Sequence, residues 1–408
     1  MTSYRKTKPG NFNGRPFLNS SSLPDIKIET IKVLGSIYLL NPSLKQSASK
    51  EIVDKIIPMQ RDVGGLSHGQ VMEQLIINRL EAPCPLVNIE TWATERCIEE
   101  IYKIPPEKLN DDRIGRTLDA VADYISDIED NIVLKVLTHF QIKPRQILWD
   151  TTSFYFEGNY EESDIITFGY SRDQKKDKKQ AVVELNITAK EGIPVGHRLL
   201  PGNASDKKEA VNNLEKMRSA LNNKDIVVIG DRAMLTKPNI IAMQDKGIKF
   251  LGPLSSKERE LILSIPDDSY HSLSYTTSQG KGGYSGVEIE HIFSHCDKPR
   301  QMRAVKNRLK IRPIFLQSDA RIKSLVFVNI LALIVYSLTC LCEARRQVEW
   351  ICQREKLATS GKNALDIFRS PAIITLTYKG QTVQQIGNVS SLMKQIMEAL
   401  QLGPPDVF

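Results

Sequence analysis

Asp150 and Asp231 are the residues of this 408-residue chain that their surroundings explain least. Asp150 stands inside Ile147-Leu148-Trp149-Asp150-Thr151-Thr152-Ser153-Phe154-Tyr155-Phe156, where apolar residues lead up to it and an alternating run follows. Such residues suit a pleated, half-buried surface, so the pattern predicts a strand that Asp150 ends, with the alternation carried beyond it. An aspartate is a poor strand former and costly to bury unpaired. Asp231 closes a second pattern, Asp225-Ile226-Val227-Val228-Ile229-Gly230-Asp231-Arg232, whose four apolar residues are too few for a helix. A lone aspartate at a strand end commonly caps a turn or the next helix. Two strands that each deliver a carboxylate to one end of a sheet make instead the arrangement a hard divalent cation requires. Paired ions about 3.5–4 Å apart can activate a hydroxyl and stabilise the leaving oxygen of a phosphoryl displacement. Magnesium keeps several waters, so two or three carboxylates suffice.

The elements that must position these acids follow from periodicity. Helical spacing begins at Ser47 or Ser49 and continues through Ile52, Val53, Ile56 and Ile57. Ser67 and Gln70 have the spacing of a capping box ahead of Val71, Leu75, Ile76 and Leu80. Further helices are expected over 89–102 and 115–140, which makes the first third all-helical, while the segment from Ile26 to Tyr38 reads equally as strand or helix. After Pro144 the patterns turn β-rich. Strands are expected to end at Asp150 and to cover 180–189, 194–200 and 248–251, with helices from Asp206 to Leu221 and from Pro238 to Asp245. Beyond them, strand-like segments at 272–275 and 287–294 flank Gly280-Lys281-Gly282-Gly283.

Several motifs in one order carry a resemblance. Leu148-Trp149-Asp150-Thr151-Thr152-Ser153-Phe154, Phe156-Glu157-Gly158, Tyr170-Ser171-Arg172-Asp173, Pro201-Gly202-Asn203-Ala204-Ser205-Asp206 and Gly230-Asp231-Arg232-Ala233-Met234 resemble insertion-sequence transposases of the DDE type. The run from Pro58 to Gln70 is similar to the subgroup with an extra helical N-terminal domain. The resemblance implies an α+β multidomain chain: a helical N-terminal domain, then an RNase H-like α/β domain with a partial β-rich insertion. The expected boundaries are a flexible leader at 1–24, a helical DNA-binding domain at 25–143, a catalytic core at 144–256 and the insertion at 257–297. A basic segment and buried helix at 298–350 complete the core, and 351–408 form the C-terminal region. Also implied are Asp150 and Asp231 as catalytic ligands of Mg²⁺ (or Mn²⁺), double-stranded DNA as partner at transposon ends and target, and a homodimer on DNA. The helical domain reads equally as an oligomerising bundle or as a reader of end DNA.

Composition is compatible with this. With 41% hydrophobic and 25% charged residues the chain can bury a core, and a net charge of +7 permits a polyanionic partner. Six cysteines without a CxxC pair or zinc spacing point to a reduced, cytoplasmic protein, no secretory signal is evident, and the resemblance implies association with the nucleoid. Lys298, Arg300, Arg303, Lys306, Arg308, Lys310 and Arg312 place seven cations in fifteen positions with no acid among them. That is either a solvated face or a phosphate-contacting track. Arg232 either meets a phosphate or holds its neighbour's carboxylate. The apolar run from Leu325 to Cys342 touches the lower limit of a membrane span but has no companion, and a helix buried against the sheet, with no membrane, is the expectation.

The departure from the family lies in its third acid. Relatives place a glutamate on a helix shortly upstream of a segment like Arg312-Pro313-Ile314-Phe315, where this chain has Lys298-Pro299-Arg300-Gln301-Met302-Arg303. Glu288 and Glu290 are the nearest glutamates upstream, in a strand-like pattern. The His291/His295 pair brackets a β-patterned segment, which sets the two rings apart and argues against zinc. Two functions therefore stand side by side: Mg²⁺-dependent DNA cleavage and strand transfer, or a non-catalytic DNA-binding remnant of a transposase.

Overall fold

The computed structural model describes residues 26–58, 65–169, 178–204, 206–221, 223, 225–231, 234–253, 266–277, 280–286, 316, 318–341, 367–378 and 381–399. The first element among the described residues is β1 (Ile26–Val33), so the first third is not all-helical. Helices α1 (Ile37–Ser47), α2 (Ser49–Ile56) and α3 (His68–Glu81) follow. The capping box forms: Ser67 Oγ accepts from Gln70 N at 3.1 Å, and Ser67 N donates to Gln70 Oε1 at 2.9 Å. Asp54 on α2 reinforces it by accepting from Ser67 Oγ and from Gly69 N.

Where long helices were expected, the chain breaks. Residues 89–102 form α4 (Ile89–Glu95) and α5 (Ile98–Tyr102), because Arg96 bridges Val33 and Cys97 N donates to the Val33 carbonyl. Residues 115–140 divide into α6 (Asp111–Ala122) and α7 (Ile125–His139). The two halves have different partners, α6 packing on a later helix while α7 reaches α2 and the sheet.

The central sheet consists of β2 (Gln146–Tyr155), β3 (Gln180–Thr188), β4 (Pro194–Pro201), β5 (Val227–Ile229) and β6 (Lys249–Leu251), in the order β4-β3-β2-β5-β6. The first three strands pair antiparallel, whereas β2–β5 and β5–β6 are parallel. Parallel neighbours need crossovers, supplied by α8 (Asp206–Ala220) and α9 (Lys237–Asp245). Every residue of β3 is buried, as a strand covered on both faces must be.

A hairpin of β7 (His271–Thr277) and β8 (Gly280–Gly286) follows. The glycine run expected to separate two strands is part of β8 itself, and the segment 287–294 lies outside the described residues.

The apolar run becomes α10 (Asp319–Leu341), which is long and apolar enough to cross a membrane, yet 83% of its apolar window is buried inside the protein. It packs on α1, α3, α6 and β4, so it belongs to the helical region as much as to the sheet. Several of its polar side chains find partners there, although Asn329 Oδ1 is buried without one. Ser324 donates to the Leu118 carbonyl, Ser337 to the Gly192 carbonyl, and Arg321 makes two bonds to Asp119 at 2.9 and 2.8 Å. One continuous core joins Leu75 and Ile132 to Phe327, Ile334, Ile147 and Leu185. The C-terminal part contributes β9 (Ala372–Tyr378), β10 (Gln381–Gly387) and α11 (Ser391–Ala399), with β9 pairing between β1 and β10.

Candidate functional site

Strands β2 and β5 set Gln146 beside Val227, Ile147 beside Val228 and Leu148 beside Ile229. Two residues past Leu148 along β2 stands Asp150, on the same face since side chains alternate along a strand, and Asp231 follows two residues after Ile229, just beyond the end of β5. The burial of β2 has that alternation: Ile147, Trp149, Thr151 and Ser153 are buried, while Leu148, Asp150 and Thr152 are half-buried. Asp150 lies in mid-strand, not at the strand's end as expected. The reason is β3, which pairs with β2 from Ile147 to Tyr155 and carries it past the point where its parallel neighbour leaves. The result is a step in the sheet, with one aspartate on each side of it.

Local contacts hold both acids. Thr151 N donates to Asp150 Oδ1 at 2.8 Å. Gly230 N donates to the Leu251 carbonyl, and Met234 N donates to the Asp231 carbonyl at 3.2 Å, which turns the chain directly after β5. The turn is tight: a Cβ on Gly230 would lie 2.6 Å from Met234 Sδ, and one on Gly252 would lie 2.8 Å from the Gly230 carbonyl oxygen. Met234 is fully buried, so Gly230 is the residue that lets the turn bearing Asp231 close over it.

Behind Asp150, on the opposite face, sits a group the sequence reading did not single out. Glu184 in the middle of β3 is wholly buried and lies opposite Thr151. Trp149 Nε1 donates to its Oε1 at 2.6 Å, and Arg198 Nε on β4 donates to its Oε2. An acid inside Ala181-Val182-Val183-Glu184-Leu185 was a detectable signal, of the same kind that marks Asp150.

On Asp150's own face the row continues through Leu185 to His197. His197 is engaged: its Nδ1 lies 2.6 Å from Glu129 Oε1, and its ring stacks on Phe327 at 5.7 Å. Among the described residues no third His, Cys, Asp or Glu joins Asp150 and Asp231 in a group that could hold a metal ion. Arg232, Arg300, Arg303, Lys306, Arg308, Lys310 and Arg312 lie outside the described residues, as do Lys298, Glu288, Glu290, His291 and His295. A carboxylate on β2 and one just past the end of its neighbour β5 are of the chemistry that suits a magnesium ion keeping most of its waters.

Comparison with known families matches residues 142–334 to a transposase DDE domain and residues 26–133 to a domain of unknown function, DUF4277. No curated protein matches the chain. Solved structures similar to it include a piggyBac transposase synaptic complex with hairpin DNA, at 11% identity over 91% of this chain and 83% of that one, with a TM-score of 0.36. Another is a Mos1 transposase paired-end complex with left transposon end, at 10% identity over 50% of this chain and 64% of that one, with a TM-score of 0.21.

Proposed function

The chain belongs to the DDE-type transposases, and on that footing we propose that it binds the ends of its own insertion sequence and cleaves and joins DNA with a divalent metal ion. The observation that supports this reading is the β2–β5 register, which pairs Leu148 with Ile229 two residues before Asp150 and Asp231 along their chains. The strand order β4-β3-β2-β5-β6, antiparallel among β4, β3 and β2 and parallel at β2–β5 and β5–β6, supports an RNase H-like core. Asp150 and Asp231 are the residues that would hold Mg²⁺ (or Mn²⁺). When bound, such an ion neutralises phosphate charge and lowers the pKa of a coordinated water or hydroxyl.

The chain's own contributions are positional. Thr151 N–H fixes one oxygen of Asp150, the Gly230 turn fixes Asp231, and the Trp149–Glu184–Arg198 set stiffens β2, β3 and β4 at the level of Asp150. Arg232 and the cations from Arg300 to Arg312 supply phosphate contacts, and two copies act together on double-stranded DNA. The second reading, a DNA-binding remnant without catalysis, is favoured by the lack of a third carboxylate beside these two among the described residues. Mg²⁺-dependent nicking and strand transfer of a duplex carrying the element's ends separates the readings. The enzyme reading expects products from the protein and none from Asp150→Ala; equal products from both, or none from either, leave the remnant.

A further inference from the structure

Phe168 is 58% exposed, more than any other Phe, Tyr or Trp side chain described. Its loop is nevertheless firmly held. Ile165 and Ile166 just before it are buried, and Ser163 Oγ accepts from Ile166 N at 2.8 Å while donating to Asp319 at the start of α10. Thr167 and Gln180 exchange both backbone hydrogen bonds, at 3.1 and 2.8 Å, so the loop adds a rung beside β3. A Cβ on Gly169 would collide with the Gly202 carbonyl, and one on Gly202 with the carbonyls of Gln180 and Thr167. Backbone packed this closely leaves the ring no route into the core. Gln180 also lies opposite Tyr155, five residues past Asp150 along β2. Phe168 therefore stands at the end of the sheet that β5 does not reach, about 17 Å beyond Asp150 along the strands.

Charge surrounds the ring. Lys179 Nζ lies 5.9 Å from its centroid and donates to the Tyr160 carbonyl at 2.8 Å, which steadies the ammonium over the aromatic face. Lys178 beside it meets Glu157 at 2.7 Å, and the sequence from Arg172 to Lys179 holds five cations and two acids. The other large apolar residues exposed to this degree, Ile28, Ile31, Val87, Leu134 and Val383, belong neither to this loop nor to the strands it joins. A protein partner would call for a contiguous apolar patch. A single ring beside cations suits a nucleobase, whose flat face stacks on the ring while its phosphate meets the charge. Inside a duplex each base is already stacked on its neighbours, so the base that fits here is an unpaired one.

We propose that Phe168 is a stacking platform for an unpaired DNA base, with Lys179 at the adjoining phosphate. The site deepens the reading of the chain as a DNA-cleaving transposase, and rests on it for the single-stranded nucleotides that cleavage near Asp150 exposes. At about 17 Å from Asp150, roughly the rise of five stacked nucleotides, the ring grips the strand away from the reacting phosphate. Its part is to hold and register the strand, and no bond is made or broken there.

Fluorescence anisotropy on the full chain without metal tests this, using a labelled oligothymidine of about 20 nucleotides and an abasic strand of the same length. The two probes share their phosphates and differ only in the bases. Phe168→Ala weakens binding to oligothymidine by about 5- to 100-fold, the loss of one stacked base, and leaves binding to the abasic strand unchanged. Phe168→Leu, still apolar but without a ring, loses affinity likewise and stands in should the alanine variant fail to fold; Phe168→Trp retains it. None of these removes a charge, so the salt slope stays, whereas Lys179→Gln makes it shallower by roughly 0.7. Wild-type protein that binds both probes equally overturns the proposal. So does a Phe168→Leu variant that binds like the wild type, an equal loss on both probes, or a slope that Lys179→Gln does not move. Cleavage is not read, so failure here leaves the phosphoryl-transfer reading standing, and loss of cleavage in Asp150→Ala does not alter these affinities.

Discussion

Trp149 donates its indole N–H to Glu184 Oε1 at 2.6 Å on the face of β2 directly behind Asp150. Glu184 is wholly buried, and its charge is balanced by Arg198. Removing one member of a buried pair costs about 3–5 kcal/mol, while losing a single hydrogen bond to a charged group costs about 1.5–3 kcal/mol. Urea unfolding should therefore rank Glu184→Ala as more destabilising than Trp149→Phe. The double variant should cost less than the sum, because both act on one network. Strict additivity would mean that the three residues do not act together.

Gly230 is the position where a methyl group does most local damage. Gly230→Ala places a Cβ 2.6 Å from Sδ and 3.2 Å from Cβ of a buried methionine. Overpacking of this kind costs about 1–3 kcal/mol. Thermal melts should show that loss, and adding Met234→Ala should recover part of it. No change in the single variant would show that the turn bearing Asp231 has room to spare.

Glu73 on α3 gives a pH dependence unrelated to DNA. Burial pushes its carboxyl up to about 7 from an ordinary value of 4.5, with Glu51 and Asp54 adding to the rise while Lys50 and Lys45 oppose it. Between those values the folded chain binds more protons than the unfolded one, so stability falls as pH rises from about 4.5 to about 7 and then levels off. At about 1.4 kcal/mol per unit the loss is on the order of 3 kcal/mol. Glu73→Gln should flatten that part of the stability–pH curve and stabilise the protein at pH 8. An unchanged slope would place the titration elsewhere.

The cations between Lys298 and Arg312 are assigned to phosphates from sequence, and salt dependence tests the assignment. Seven phosphate contacts on duplex DNA give a log–log slope of roughly −6. Replacing Arg300, Arg303 and Lys306 with Gln should make the slope shallower by roughly 3, as read by fluorescence anisotropy at graded salt. A weaker affinity with an unchanged slope would remove these residues from the DNA track.

Local chemistry was legible in the sequence, and pairing between distant segments was not. Ser67-x-x-Gln70 announces a capping box that forms in full, but the Asp54 bonds that reinforce it come from a different helix and leave no spacing to read. The aspartates stood out as misfits in apolar strands. Glu184 was an equal misfit, passed over because its partners lie on two other strands. The segment from Ile26 was ambiguous because it is a strand followed by a helix, and its strand partner, β9, begins at Ala372. The glycines of β8 read as a turn since nothing local says that a glycine run will pair.

The central claim is that Asp150 and Asp231 grip one shared cation. Titration of the protein with Mn²⁺, followed by electron paramagnetic resonance, tests it without any requirement for cleavage. A shared ion predicts a bound Mn²⁺ in the wild-type chain that is lost equally in Asp150→Asn and in Asp231→Asn, with the folded state retained. Binding that survives either substitution, or that responds to only one of them, would contradict the account.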